Sequence, residues 1–182
     1  STAAGGKEFP CDIGRFNGDV FVYIAAFGLF TDVSYETKQE MKNVLGHLAY
    51  VLEGAKRLLD IKAYHMKVTT ENGVIEDNFI YGMITNSRSV GGFKNLTKDV
   101  DMNDGLFETL LIRRPKQFGD LSRIITGVLN QYYDNENVIL VQSKNLRFTF
   151  EEPVAWTRDG EAGGVTTDVT LRNNHAAIHI IA

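Results

Sequence analysis

Residues Tyr64–Asn86 read YHMKVTTENGVIEDNFIYGMITN. Two apolar-rich runs, 64–70 and 73–86, flank Glu71-Asn72-Gly73. Asn-Gly between such runs is a strong hairpin signal, because both residues tolerate the positive φ that a tight turn between twisted strands requires. The stretch therefore predicts two antiparallel strands, and the same signals recur on both sides of it.

Upstream, DVFVYIAAFGL (Asp19–Leu29) is an apolar run behind a turn at Asn17-Gly18. Downstream, LFETLLIRR (Leu106–Arg114) is a further strand that Pro115 ends. VILVQ (Val138–Gln142), NLRFTFE (Asn145–Glu151), VAWTRD (Val154–Asp159), TTDVTLR (Thr166–Arg172) and AIHII (Ala177–Ile181) follow. RFTFE and DVTLR alternate apolar and polar, as half-buried strands do. Helix signals are fewer. Ser34–Asp60 carries Met41, Val44, Leu45, Leu48, Val51, Leu52, Ala55, Leu58 and Leu59 at steps of three and four, with Gly46 a candidate break. Lys116–Asp134 places Leu121, Ile124, Ile125, Val128 and Leu129 on one helical face. The expected fold is mainly β: one β-rich domain with two or three helices laid on it.

Composition agrees. The chain has 182 residues, the length of one ordinary domain, and 43% are hydrophobic, enough for a core. The net charge of -4 gives no basic field for nucleic acid. The single cysteine, Cys11, forms no internal disulfide, which fits a reducing compartment. Beside Pro10 it reads as a small packed residue rather than a nucleophile, which would need a base and a thiolate-stabilising setting. No apolar run reaches the ~20 residues of a membrane span. STAAGGKEF has no hydrophobic region of a signal peptide.

Three stretches carry candidate chemistry. The first is WTRDGEAGG (Trp156–Gly164), with Asp159 and Glu161 one residue apart around Gly160. A hairpin tip with solvated carboxylates accounts for the glycines. It does not account for the second acid, and a carboxylate held at a strand end can accept a proton from a hydroxyl. The second stretch is DVDMNDGLFE (Asp99–Glu108), an oxygen-rich loop before a strand. It lacks the acid that closes an EF-hand loop and runs into a strand, so a simpler Mg²⁺ or Ca²⁺ site and a plain polar turn both stay open. The third is TNSRSVGGF (Thr85–Phe93), small residues after an apolar strand, read either as a loop that approaches a ligand or as a connection. No G-x-x-x-x-G-K-[ST] and no G-x-G-x-x-G is present. His47, His65, His175 and His179 lack metal-ligand spacing and read as structural.

Taken in order, CDIGRFNGDVFVYIAAFGL, VSYETKQEMKNVLGHLAYVLEG, TNSRSVGGF, DVDMNDGLFETLLI and RDGEAGG resemble the C-terminal domain of the bacterial diacylglycerol kinase-like lipid kinases, from about Cys11 to Ile181. The resemblance implies a β-sandwich-like domain, as in NAD kinase and diacylglycerol kinase-like proteins. It implies residues 1–10 as tail or interdomain linker and 11–182 as the C-terminal lipid-kinase domain. The family's ATP-holding G-G-D-G-T motif is absent, so ATP would be bound mainly by an N-terminal domain outside this chain, and the fragment alone is expected to be inactive. By resemblance, Glu161 is the general base that takes the lipid hydroxyl's proton as the oxygen attacks the γ-phosphate. Asp159 would orient it or join the Mg²⁺ network. Mg²⁺ would be held by Asp104 and the carbonyls of Asp101 and Leu106.

Tyr23, Ala26 and Phe30 stand where many relatives carry Asn, Gly and Asp. The family reaches diacylglycerol, phosphatidylglycerol-like lipids, sphingoid bases and long-chain alcohols, so it leaves the lipid open. A non-catalytic lipid- or protein-binding module and an NAD kinase relative are the alternatives. The resemblance further implies a cytoplasmic protein in peripheral contact with the inner face of the membrane. Lys38, Lys42, Lys56, Arg57 and Lys62 are candidate contacts with anionic headgroups. Homodimers are open too, since relatives form them and exposed strand edges invite pairing.

Overall fold

The computed structural model describes residues 6–29, 61–86, 89–90, 93–94, 103–130 and 136–181. The expected helix at Ser34–Asp60 lies outside them, as do Asp101, Phe30 and all the candidate headgroup contacts except Lys62.

In chain order the elements are β1 (Glu8–Phe16), β2 (Asp19–Phe21), β3 (Ile24–Gly28), β4 (Tyr64–Thr70), β5 (Gly73–Thr85), β6 (Ser89–Val90), β7 (Phe93–Lys94), β8 (Phe107–Arg113), α1 (Phe118–Asn130), β9 (Val138–Ser143), β10 (Asn145–Arg158) and β11 (Glu161–Ile181). The β4–β5 hairpin forms at the quoted stretch, with Thr70 opposite Gly73 across Glu71-Asn72. Leu121 and Ile124 of α1 are buried, as the helical periodicity predicts.

One antiparallel sheet carries the fold, in the order β2-β1-β11-β10-β3-β5-β8-β9. β3 and β4 share one lane: β10 pairs β4 through Leu146–Phe150 and β3 through Trp156–Arg158. β5 repeats this from the other side. β10 runs unbroken where the sequence suggested two strands, because its register shifts between Thr149 and Val154 and so passes Pro153 without ending the strand. Likewise β11 is continuous through the two strands expected at Thr166–Arg172 and Ala177–Ile181. Glu8–Pro10, within the stretch expected as tail or linker, pair with Ile181–His179.

The sheet curls until its ends meet. Phe21 of β2 stacks on Phe107 of β8, ring centroids 5.6 Å apart. Inside the curl lies an aromatic core of Phe16, Phe21, Phe27, Phe107, Phe148 and Trp156 with their aliphatic neighbours. Glycines make room for these rings: a Cβ at Gly82 would lie 2.1 Å from Phe27 and one at Gly14 2.3 Å from Phe21. The outer face of β3, β5 and β8 presents Ile24, Ala26, Met83, Leu110 and Ile112, which α1 covers with Leu121 and Ile124. The result is the β-sandwich-like architecture expected.

Candidate functional site

The Asp159-Gly160 turn joins β10 to β11, with Arg158 opposite Glu161. Both turn residues take positive φ, 48° at Asp159 and 86° at Gly160, as a tight hairpin turn requires. Asp159 is fixed by a second element. Its Oδ2 accepts the Val22 amide at 2.7 Å, and its Oδ1 accepts those of Tyr23 and Ile24 at 2.8 and 2.9 Å. The Asp159 amide donates back to the Ile24 carbonyl at 2.8 Å. The carboxylate therefore bridges the gap between β2 and β3, where the strand predicted across Asp19–Leu29 is interrupted. Glu161, one residue past the turn, is exposed, and its carboxylate has no partner among the described residues. Both acids are exposed, but Asp159 is locked by three amides and Glu161 is free.

The clamped segment continues into the other candidate stretches. The Tyr23 carbonyl accepts the Thr85 hydroxyl and the Asn86 amide, both at 3.2 Å. Asn86 donates from Nδ2 to the Asp12 carbonyl at 2.6 Å. Asp12, in β1, is fully buried. Its Oδ2 accepts the Gly105 amide at 2.7 Å and its Oδ1 the Ala176 amide at 2.7 Å, with His175 Nδ1 at 3.1 Å. A buried carboxylate requires such donors. The chain accommodates it by a bulge: β1 and β11 shift register between Cys11 and Ile13, and Ala176 takes a φ of 49°. Asn173 closes the network, donating to the Leu106 carbonyl at 3.1 Å and to Asn86 at 3.4 Å.

Gly105, in the described part of the acidic loop, thus hangs from Asp12. Within this loop, the Asp104 carboxylate is exposed and accepts the Leu106 amide at 2.9 Å. Asn103 Oδ1 is buried with no hydrogen-bond partner. The exposed Asp104 carboxylate, the Leu106 carbonyl with a second lone pair and the orphaned Asn103 oxygen are all hard oxygen donors of the kind that Mg²⁺ or Ca²⁺ takes. Asp104 and Leu106 therefore fit a cation of that class. Glu108 follows at 3% exposure, and burial, with Asp104 adding repulsion, pushes its carboxyl up to about 7.

Asp159 and the TNS and acidic loops, separate in sequence, are thus linked by one chain of hydrogen bonds. Sequence reading missed Asp12 and Asn173, and it placed Asn86 and Glu108 in candidate stretches without giving either a role. An acid next to apolar neighbours in a strand, as in PCDIG, is the one local signal that marks Asp12. Cys11, buried beside it, has its thiol pushed up by burial and then by the Asp12 charge, the opposite of activation. No cluster of three His, Cys, Asp or Glu suited to a metal occurs among the described residues. No described helix is long and apolar enough to cross a membrane. Lys62 lies over the Tyr64 ring at 4.9 Å.

Comparison with known proteins adds a family. Residues 25–182 match the model of the YegS C-terminal NAD kinase beta sandwich-like domain. A diacylglycerol kinase of Bacillus subtilis is 26% identical over 181 residues, 99% of this chain and 59% of that protein. One from Staphylococcus haemolyticus is 30% identical over 154 residues, 84% of this chain and 46% of that protein. The chain therefore spans about half the length of the curated relatives it matches. A crystal structure of a Bacillus anthracis protein named for diacylglycerol kinase superposes with a TM-score of 0.76 at 18% identity, covering 96% of this chain and 58% of that one. At that identity the likeness is one of fold.

Proposed function

Since the chain belongs to the YegS C-terminal NAD kinase beta sandwich-like domain family, a kinase family, we propose that it is the substrate-side domain of an ATP-dependent lipid kinase. In this reading the γ-phosphate of ATP passes to a lipid hydroxyl such as that of diacylglycerol. ATP is held mainly by a further domain, and this chain alone is inactive. The observation that carries the reading is the Asp159–Glu161 turn, where one carboxylate is immobilised by three backbone amides and its neighbour stands free.

Phosphoryl transfer asks little covalent chemistry of a protein beyond position and charge. Glu161 accepts the proton of the attacking hydroxyl. Asp159, its own charge committed to the Val22–Ile24 amides, fixes where Glu161 points rather than sharing the proton. Asp104 and the Leu106 carbonyl, with that of Asp101, would hold Mg²⁺, which supplies positive charge to the acidic loop when bound. Asp12 keeps that loop in place from below. The protein works in peripheral contact with the membrane that supplies the lipid.

The test is ATP-dependent phosphorylation of a lipid panel by the full-length protein beside Glu161→Gln. Loss of general-base assistance is expected to lower turnover about 10²–10⁴-fold with the fold intact. Equal turnover in both would place the base elsewhere. No turnover on any lipid would favour a binding module.

A further inference from the structure

Arg158 enters the turn directly opposite Glu161. Side chains at such paired positions share a face, their Cβ atoms about 4.5–5.5 Å apart. A guanidinium is thus tethered beside the proposed base. It is the wrong residue for an aromatic core rim unless its charge is used, because a cation there must be paired or solvated. The structure shows how it is stored. Arg158 Nη1 lies 2.8 Å from Asp19 Oδ2, and the guanidinium sits over the Phe16 ring at 5.3 Å. Its side chain is only 21% exposed, whereas that of Asp19 is 69% exposed. Arg158 Nε is buried with no acceptor. A buried donor left without an acceptor is rare in folded proteins and calls for an explanation.

We propose that Arg158 forms a phosphate-binding subsite beside Glu161, with Asp19 holding the guanidinium until phosphate oxygens take its place. The inference rests on the lipid-kinase reading above. A guanidinium offers parallel N–H donors that match two phosphate oxygens, and Phe16 keeps its plane fixed while the partner changes. An ion pair with so exposed an acid is weak in water and exchanges readily. A doubly charged phosphate is the better partner, since it offers two oxygens to the guanidinium fork that Asp19 engages through Nη1. Positive charge beside a transferring phosphoryl group is what the reaction needs, since charge builds on its oxygens in the transition state. The phosphate has two sources: the terminal phosphate of the nucleotide, or the headgroup phosphate of an anionic lipid substrate.

The experiment uses the full-length protein with Arg158→Gln, Arg158→Lys and Asp19→Asn, each checked by thermal melting. Binding of β,γ-imido ATP and of ADP is measured by calorimetry. KM and kcat are measured on diacylglycerol and on phosphatidylglycerol. For a nucleotide source, Arg158→Gln weakens the imido analogue about ten- to a hundred-fold while ADP binding holds, as loss of a charged hydrogen bond predicts. Arg158→Lys recovers part of this, and Asp19→Asn tightens the analogue. For a headgroup source, KM for phosphatidylglycerol rises against that for diacylglycerol instead. Unchanged analogue-to-ADP and lipid ratios in Arg158→Gln, with only a lowered melting temperature, would overturn the proposal and leave Arg158 a clamp on β2. A wild-type protein inactive on every lipid would sink the lipid-kinase reading, while the nucleotide-binding comparison would still decide the role of Arg158.

Discussion

Asp159 and Glu161 flank Gly160 and do opposite things. Asp159→Ala leaves the amides of Val22, Tyr23 and Ile24 without their acceptor. The expected loss is about 1–2 kcal/mol, since water can replace the acceptor at the exposed Val22 amide but not at buried Ile24. Glu161→Gln changes an exposed side chain and should shift stability by less than about 0.5 kcal/mol. Urea unfolding of the two variants checks the contrast, and a destabilised Glu161→Gln would mean that Glu161 has a structural partner.

Glu108 adds a pH dependence. Burial raises its carboxyl from 4.5 to about 7, so between those values the folded protein binds a proton that the unfolded chain has released. Stability must then fall as pH rises through that window, by an amount on the order of 3 kcal/mol, and stay low above it. Glu108→Gln should flatten this slope and be the more stable protein at pH 8. An unaltered slope in the variant would show that Glu108 is ionised throughout.

At the scale of elements, the hairpin at Tyr64–Thr85 was legible because its signals are local: alternation, β-branched residues and a glycine at the turn. The turn at Asp159-Gly160 was legible for the same reason. β1 was obscured because Pro10 and Gly14 dilute its pattern, and its strand character comes from pairing with β11 at the far end of the chain. Asp12 was hidden for a related reason. Its carboxylate partners Gly105 and Ala176 lie 93 and 164 residues away, and no window of sequence holds both. The interruption between β2 and β3 was equally invisible, because its cause is Asp159, more than 130 residues downstream.

The loops therefore depend on the strands below them. Asp12→Ala removes the acceptor of one buried amide, Gly105, and one part-buried amide, Ala176, and should cost about 3 kcal/mol. Its more specific effect is local. The Gly105 amide should lose protection from hydrogen exchange to a greater extent than the β4–β5 hairpin does. Uniform loss of protection across the sheet would mean that Asp12 serves general stability rather than the acidic loop.

For the whole molecule, the decisive contact is the one that turns a sheet into a closed core. β2 and β8 are far apart in strand order, yet Phe21 and Phe107 stack, and both are fully buried. Phe21 also packs where Gly14 leaves room for its ring. One residue further, Val22 begins the segment that Asp159 clamps. Closure of the core and placement of the turn are thus one event, with β2 joining the aromatic interior to the segment on which Asp159 rests. Phe21→Ala should cost about 3–5 kcal/mol, the usual figure for a buried aromatic replaced by a cavity. On the lipid-kinase reading it should also lower the turnover of the full-length protein by more than the unfolded fraction explains, because β2 would no longer hold Val22–Ile24 in line with Asp159. Val68→Ala, also fully buried but on β4 away from the turn, is the control. It should reduce stability and leave the turnover of the folded fraction unchanged. If Phe21→Ala and Val68→Ala fell on one line relating activity to stability, closure of the core would have no separate hold on the site.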